Sequence, residues 1–208
     1  MDTQPKLPPD QIKQLRARWF SPSGQAVLNR LIAIWQGDSR GWRSLVDDLP
    51  EVSVPAPHPG LLTDLRGLEL KAVRLNGAQM PYVDLSYASF KNCNLQEICL
   101  QGSKLSWASF EHCNLKRSDL LQVVADNSRF LHCFMNHAVL DVSDLRWASF
   151  QDTEMPMTIL DGADLTHAVL KGGSLAGSSA RETRLPSGFD RKRLNKHHRS
   201  LGNDPSSK

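Results

Sequence analysis

Between residues 65 and 185 every fifth position carries an apolar residue, nearly always a large one, and this period constrains the fold more than any other feature of the 208-residue chain. Sixteen of the 29 leucines fall on the grid. Phe90, Phe110, Phe130, Phe150, Met80, Met135 and Met155 occupy most remaining sites, and Ala125 and Ala180 are the exceptions. Two residues earlier stands a second regularity of small side chains, such as Ala78, Ala88, Cys93, Ser103, Ala108, Cys113 and Ser118, with Leu68 and Ile98 clearly larger. No ordinary element accounts for a period of five. Five residues of α-helix rotate by about 140°, so the leucines would spiral around the surface. On a strand an odd period sends successive leucines to opposite faces. The chain must therefore turn every five residues, so that each large residue and the small one before it point at a common axis.

A longer period closes the figure. Tyr87-Ala88-Ser89-Phe90, Trp107-Ala108-Ser109-Phe110 and Trp147-Ala148-Ser149-Phe150 recur at spacings of 20 and 40, with Asn127-Ser128-Arg129-Phe130 between them. Twenty is four fives, so a four-sided coil stacks these residues about 4.8 Å apart, as in any β-ladder. The units Cys93-Asn94-Leu95-Gln96-Glu97, Ser118-Asp119-Leu120-Leu121-Gln122, Ser143-Asp144-Leu145-Arg146-Trp147 and Ala163-Asp164-Leu165-Thr166-His167 resemble the pentapeptide repeat family, whose pattern is roughly A-[DN]-L-x-x. Only seven of the 25 units carry Asp or Asn before the central residue. The resemblance implies a mainly β fold, a right-handed parallel quadrilateral β-helix, here of about six coils. Leu85, Phe90, Leu95, Phe110, Leu115, Phe130, Leu145, Phe150 and Leu165 are expected in its core. The family spans many roles, so the resemblance speaks to fold and not to function.

The flanks read differently, and three parts are expected: a helical module with a proline-rich linker over 1–58, the β-helix over 59–186 and a basic tail over 187–208. Pro8-Pro9-Asp10 starts a helix with Ile12, Leu15 and Trp19 on one face. Ser21-Pro22 is an N-cap and first helical residue for a second, which carries Val27, Leu28, Leu31, Ile32 and Trp35 and stops at Gly37. Ser39 is expected to cap a third segment containing Trp42, Leu45, Val46 and Leu49. An open coil exposes its axis and strand edges, which invites end-to-end association and offers a route to a homodimer. The helices are therefore expected to cap the rod or pack along it, or else to form a separate binding module. Arg191–Arg199 reads either as a basic helix over the last coil or as a frayed solvated tail.

Charge and composition narrow the remaining classes. The net charge is +1 in residues 1–60, −2 in 61–185 and +4 in 186–208, so the excess is a basic tail. Arg191, Lys192, Arg193, Lys196 and Arg199 support weak, salt-sensitive nucleic-acid binding at most. No apolar run reaches the roughly 18 residues of a membrane span, and Met1–Asp10 has no apolar stretch of signal-peptide type, so a cytoplasmic protein is expected.

Cys93, Cys113 and Cys133 with His112 and His132 suggest a metal constellation, yet the cysteines point inward and the preceding histidines outward. No metal or cofactor is expected from them. The outer column Tyr87, Trp107, Asn127, Trp147, His167 is more informative. Tyr87, Trp107 and Trp147, with Arg146 beside them, are candidate anchors for a protein partner; alternatively the N-terminal helices pack there. Leu121, Val124, Leu131 and Phe134 lie outward around Ala125, where the coil is expected either to bulge locally or to serve a function. Asp64, Asp84, Asp144 and Asp164 form an acidic column, interrupted by Lys104 and Val124, that should bond local backbone or face water. No catalytic motif is present. The expectation is a non-enzymatic binding or scaffold protein acting through the outside of the rod. The alternative drawn from the family is a DNA-mimicking regulator of a type II topoisomerase such as gyrase, for which the rod is only weakly acidic.

Overall fold

The computed structural model describes residues 6–54 and 61–195. The repeats form a parallel β-solenoid. One wall stacks six short strands, Glu69–Lys71, Ser89–Lys91, Ser109–Glu111, Arg129–Leu131, Ser149–Gln151 and Val169–Lys171, each paired in parallel with the residue 20 positions on. Isolated parallel bridges such as Arg74↔Asn94, Gln79↔Cys99 and Asp84↔Lys104 mark the other walls. The layers span about five full turns where the sequence suggested six coils, because the last layers before Leu194 pair only partly.

The local chemistry of the turns explains the period. At most centres the carbonyl accepts from the N–H three residues on, as Leu85 does from Ala88 and Leu105 from Ala108. The second residue after each centre from Leu65 to Ala180 adopts a left-handed backbone: Gly67, Gly77 and Gly102 do so, but so do Tyr87 at φ 62°, Trp107 at 61°, Val142 at 55° and Trp147 at 62°. This is the geometry that a type II turn requires at its third residue. Where Asp or Asn precedes the centre, its carboxylate or amide oxygen accepts from the N–H two residues on. Asp64, Asp84, Asp144 and Asp164 do this for Arg66, Ser86, Arg146 and Thr166. The acidic column is thus a set of turn locks.

Inside, the centres form continuous columns. Phe90, Phe110, Phe130 and Phe150 stack with centroids 4.8 to 4.9 Å apart and rings within 3° of parallel. Leu85, Leu95, Leu115, Leu145 and Leu165 are fully buried beside them. The small residues two positions earlier do more than leave room. The hydroxyls of Ser103, Ser143, Thr153, Thr158, Ser178 and Thr183 each donate to the carbonyl of the centre 23 residues before, on the preceding coil. The thiols of Cys93, Cys113 and Cys133 take the same position. No bulge occurs at Ala125: its N–H donates to Asp144 at 2.8 Å, and the ladder runs on through Val124. Register is set by backbone bonds on either side, so one missing side chain does not break it.

The N-terminal region consists of α1 (Pro9–Phe20) and α2 (Pro22–Trp35), followed by a 3₁₀ helix, Arg43–Asp48. Ser21 caps α2 by accepting from the Gly24 N–H at 3.0 Å. Ser39 caps nothing. It sits at φ 57° in the turn after α2, where its N–H satisfies the Ile34 carbonyl, and Trp42 precedes the third segment without a side-chain cap.

These helices close the rod. Trp19, Leu31, Trp35, Trp42 and Leu45 are continuous with the core of the first coil. Within the solenoid the carbonyls of Asp84, Ser86, Asn94, Cys99 and Gln101 accept from the backbone of the preceding coil. Their equivalents in the first coil, Asp64, Arg66, Arg74, Gln79 and Pro81, have no coil before them. They accept instead from side chains: Arg18 reaches Asp64 and Arg66, Trp19 reaches Arg66, Gln36 reaches Arg74, Trp42 reaches Gln79 and Arg43 reaches Pro81. The cap therefore imitates a missing coil and blunts the strand edge. At the other end Arg191–Arg193 forms a 3₁₀ turn, followed by a turn at Leu194 and a bend at Asn195; the rest of the expected basic segment, Lys196 and Arg199 included, lies outside the described residues. Arg193 donates to the Leu170 and Gly172 carbonyls, and the Leu194 carbonyl accepts from Gly177. No helix among the described residues is long and apolar enough to cross a membrane.

Candidate partner-binding surface

The column Tyr87, Trp107, Asn127, Trp147, His167 occupies one corner of the solenoid, every member in the left-handed turn position. That position throws the side chain away from the axis, so bulk here serves neither the core nor the turn. The N-terminal segment divides the column into two halves.

The upper half is covered. Tyr87 is only 3% exposed and packs with Leu15 and Val54, against Leu7, Ile12, Val52 and Trp107. Its phenol oxygen accepts from the Leu7 N–H at 2.9 Å, and burial pushes the phenol pKa up. Tyr87 is therefore not an open anchor, because the residues leading into α1 lie across it. Trp107 is half-buried under the same segment, with the Lys6 ammonium 5.5 Å from its ring centre.

The lower half is open. Trp147 is 51% exposed and stacks on His167 with centroids 4.0 Å apart and planes 17° from parallel. Arg146, which the sequence placed beside it, is clamped to Asp144 by two bonds, Nε to Oδ1 at 2.8 Å and Nη2 to Oδ2 at 2.6 Å. The Asp144 carboxylate holds the guanidinium pKa up, and Asp164 and Asp126 add to the same field. Asp126 itself is buried, accepting from the Ser106 hydroxyl and the Asn127 amide. Nothing in the repeat pattern singled it out.

Other exposed apolar residues lie elsewhere on the rod: Phe134, with the Lys116 ammonium 5.2 Å from its ring centre, and Ile159 on walls, and Val142 and Met157 at other corners. Phe134 and Val124 were readable from the sequence as outward positions, and Leu121 and Leu131 are half-buried there. Val142 and Met157 were readable too, since they occupy corner positions where most other side chains are polar or glycine.

Cys93, Cys113 and Cys133 are buried, while the His112 and His132 rings stack outside at 4.8 Å. No group of three His, Cys, Asp or Glu side chains among the described residues is arranged to hold a metal ion. A cleft of about 1080 Å³ opens between the cap and the first coil, lined by Arg18, Arg43, Asp47, Thr63, Asp64 and Arg66 among others. Several of its polar groups are committed to one another, and Arg43 bonds the Thr63 hydroxyl. Asp64 binds both Arg18 and Arg66, and these bonds outweigh burial to hold its carboxyl at about 2.

A family model described as pentapeptide repeats matches eight copies over residues 69–106, 103–141 and 143–185, more than half of the chain. Among solved structures, the chain is similar to the pentapeptide repeat protein Rfr23 from the cyanobacterium Cyanothece 51142, at 15% identity and a TM-score of 0.35, over 59% of this chain and 87% of that one. HetL, a pentapeptide repeat protein involved in heterocyst differentiation regulation from Nostoc sp. strain PCC 7120, is similar at 19% identity and a TM-score of 0.32, over 59% and 83%. Trypsin-treated QnrB1, a plasmid-mediated fluoroquinolone resistance protein, is similar at 17% identity and a TM-score of 0.30, over 63% and 77%. No curated protein sequence matches the chain as a relative. The family match, together with the turn every five residues and the parallel pairing every 20, leads to one conclusion: the chain belongs to the pentapeptide repeat family.

Proposed function

We propose that this protein is a non-enzymatic binding or scaffold protein that engages a protein partner through the outer corner of its rod around Trp147. The observation that carries this reading is the exposure of a tryptophan in a left-handed turn position, 51% open and braced by His167. A tryptophan there contributes nothing to the packed axis, and a large aromatic ring on a rigid support is the usual form of an interface anchor. The rod interior is filled by its own side chains, which directs binding to the exterior. A role as a mimic of duplex DNA has weaker support. Asp64, Glu97, Glu111, Asp144 and Asp164 each lie within ion-pair distance of an arginine or lysine, which mutes an acidic surface.

Affinity purification from the native host with wild-type and Trp147→Ser protein tests the reading, with Lys71→Ser on another wall as control. A protein recovered with the wild type and the control but depleted at least tenfold with Trp147→Ser is the expected outcome. An identical set of proteins from all three baits overturns it.

A further inference from the structure

The upper half of the aromatic column already shows what kind of chain it holds. Lys6 and Leu7 run into an extended Pro8, with φ −55° and ψ 147°. The Leu7 N–H bonds the Tyr87 phenol, and the Lys6 ammonium lies over the Trp107 ring. An extended, proline-stiffened segment thus crosses the corner with its backbone on one aromatic residue and a cation on the next. The repeat carries the same corner down the rod, so Trp147 stands two coils below Trp107, about 10 Å away along the axis. There the ring is backed by His167 and open on its outer side.

Charge selects the occupant. Asp126, Asp144 and Asp164 act on Arg146, and Arg184 pairs with Asp164, so the charged groups around Arg146 are three carboxylates against two guanidiniums, with the buried Asp126 carboxylate in excess. A cation above the ring would gain both the ring quadrupole and these carboxylates. We propose that the Trp147–His167 half of the column docks an extended, lysine-bearing segment of a partner protein, held as Lys6 and Leu7 are held over Trp107 and Tyr87. The inference rests on the partner-binding role argued above and names the chemistry of the bound segment.

The test uses the full chain and a fluorescently labelled synthetic peptide with the sequence of Lys6–Lys13, followed by polarisation at low salt. Saturable binding is expected, weakened at least tenfold by Trp147→Ser and at least fivefold when both peptide lysines are replaced by glutamine, and reduced by added salt. The lysine-free peptide keeps the result independent of any effect of Trp147→Ser on folding. No saturable binding, binding unchanged by Trp147→Ser (which would place the peptide on Trp107 by exchange with the chain's own segment), or binding indifferent to the lysines each overturns the proposal. The two ideas fail separately: a partner lost with Trp147→Ser but not competed by the peptide leaves the binding role standing and removes the lysine-bearing segment.

Discussion

At the scale of the residue, the solenoid rests on a conformation that most side chains resist. Every fifth residue from Gly67 to Glu182 sits in the left-handed region, and glycine occupies only a minority of these corners. A left-handed residue with a Cβ costs about 1–2 kcal/mol, and β-branching makes it worse. The cost is accepted at each corner because the turn redirects the next centre onto the axis, where a buried leucine or phenylalanine contributes roughly 1.5–3 kcal/mol. Val142 is the plainest excess: it is β-branched, at φ 55°, and 61% exposed, so it gains little packing for its strain. Asn tolerates this region far better. Val142→Asn is therefore expected to stabilise the protein by about 1 kcal/mol, seen as a higher Tm. Val124→Asn is the control, because Val124 lies in a ladder bridge outside the turn, where Asn is the poorer residue. A gain at both positions, or at neither, would refute the corner as the source of the effect.

At the scale of the element, the centres and their small partners were readable because periodicity is itself a statement about geometry. Leu85, Phe110 and Cys113 needed only their spacing to be placed on the axis. The helices, and their covering of the open coil, were readable, but not the bonds by which they close it. Arg18, Trp19, Gln36, Trp42 and Arg43 meet their carbonyls through single side-chain bonds across 37 to 48 residues of sequence, and no period records such contacts. That the N-terminal region covers Tyr87 while leaving Trp147 open was not readable for the same reason, since the covering segment around Leu7 lies outside the repeat. The cap also carries a pH signature. Burial alone would raise the Asp64 pKa, but hydrogen bonds from Arg66 and Arg18 and the charge of Arg18 bring it down from 3.8 to about 2. A carboxylate depressed in the folded state adds stability above its unfolded pKa and loses it as pH falls through the folded one. The contribution, about 2 kcal/mol, is present at pH 5 and largely gone near pH 2. Wild type should thus exceed Asp64→Asn in stability by a margin that shrinks by about 2 kcal/mol between those pH values, measured by urea denaturation. A margin that stays constant would show that the carboxylate charge does not secure the cap.

At the scale of the whole molecule, the rod is a quasi-one-dimensional stack in which each coil contacts mainly its neighbours, closed by helices at one end and by the Arg193 turn at the other. Such a stack should tolerate losing a whole layer and should not tolerate losing the phase. Deleting residues 109–128 joins Ala108 to Arg129 and keeps every later residue in its column; Phe90 then meets Phe130 directly. Deleting 109–126 removes two residues fewer, yet joins Ala108 to Asn127. That join delivers Phe130, Met135 and Leu140 to the left-handed corners and puts Ser128, Cys133 and Ala138 on the axis. Downstream of it the chain would trade its apolar column for small residues, and burial of the centres is the term that offsets the strain of every turn. The larger deletion should therefore unfold in one cooperative transition, at a Tm lowered by the loss of one layer. The smaller should lose cooperativity and expose apolar surface to a hydrophobic dye. If the two shortened chains melt alike, the column register is not what organises this rod.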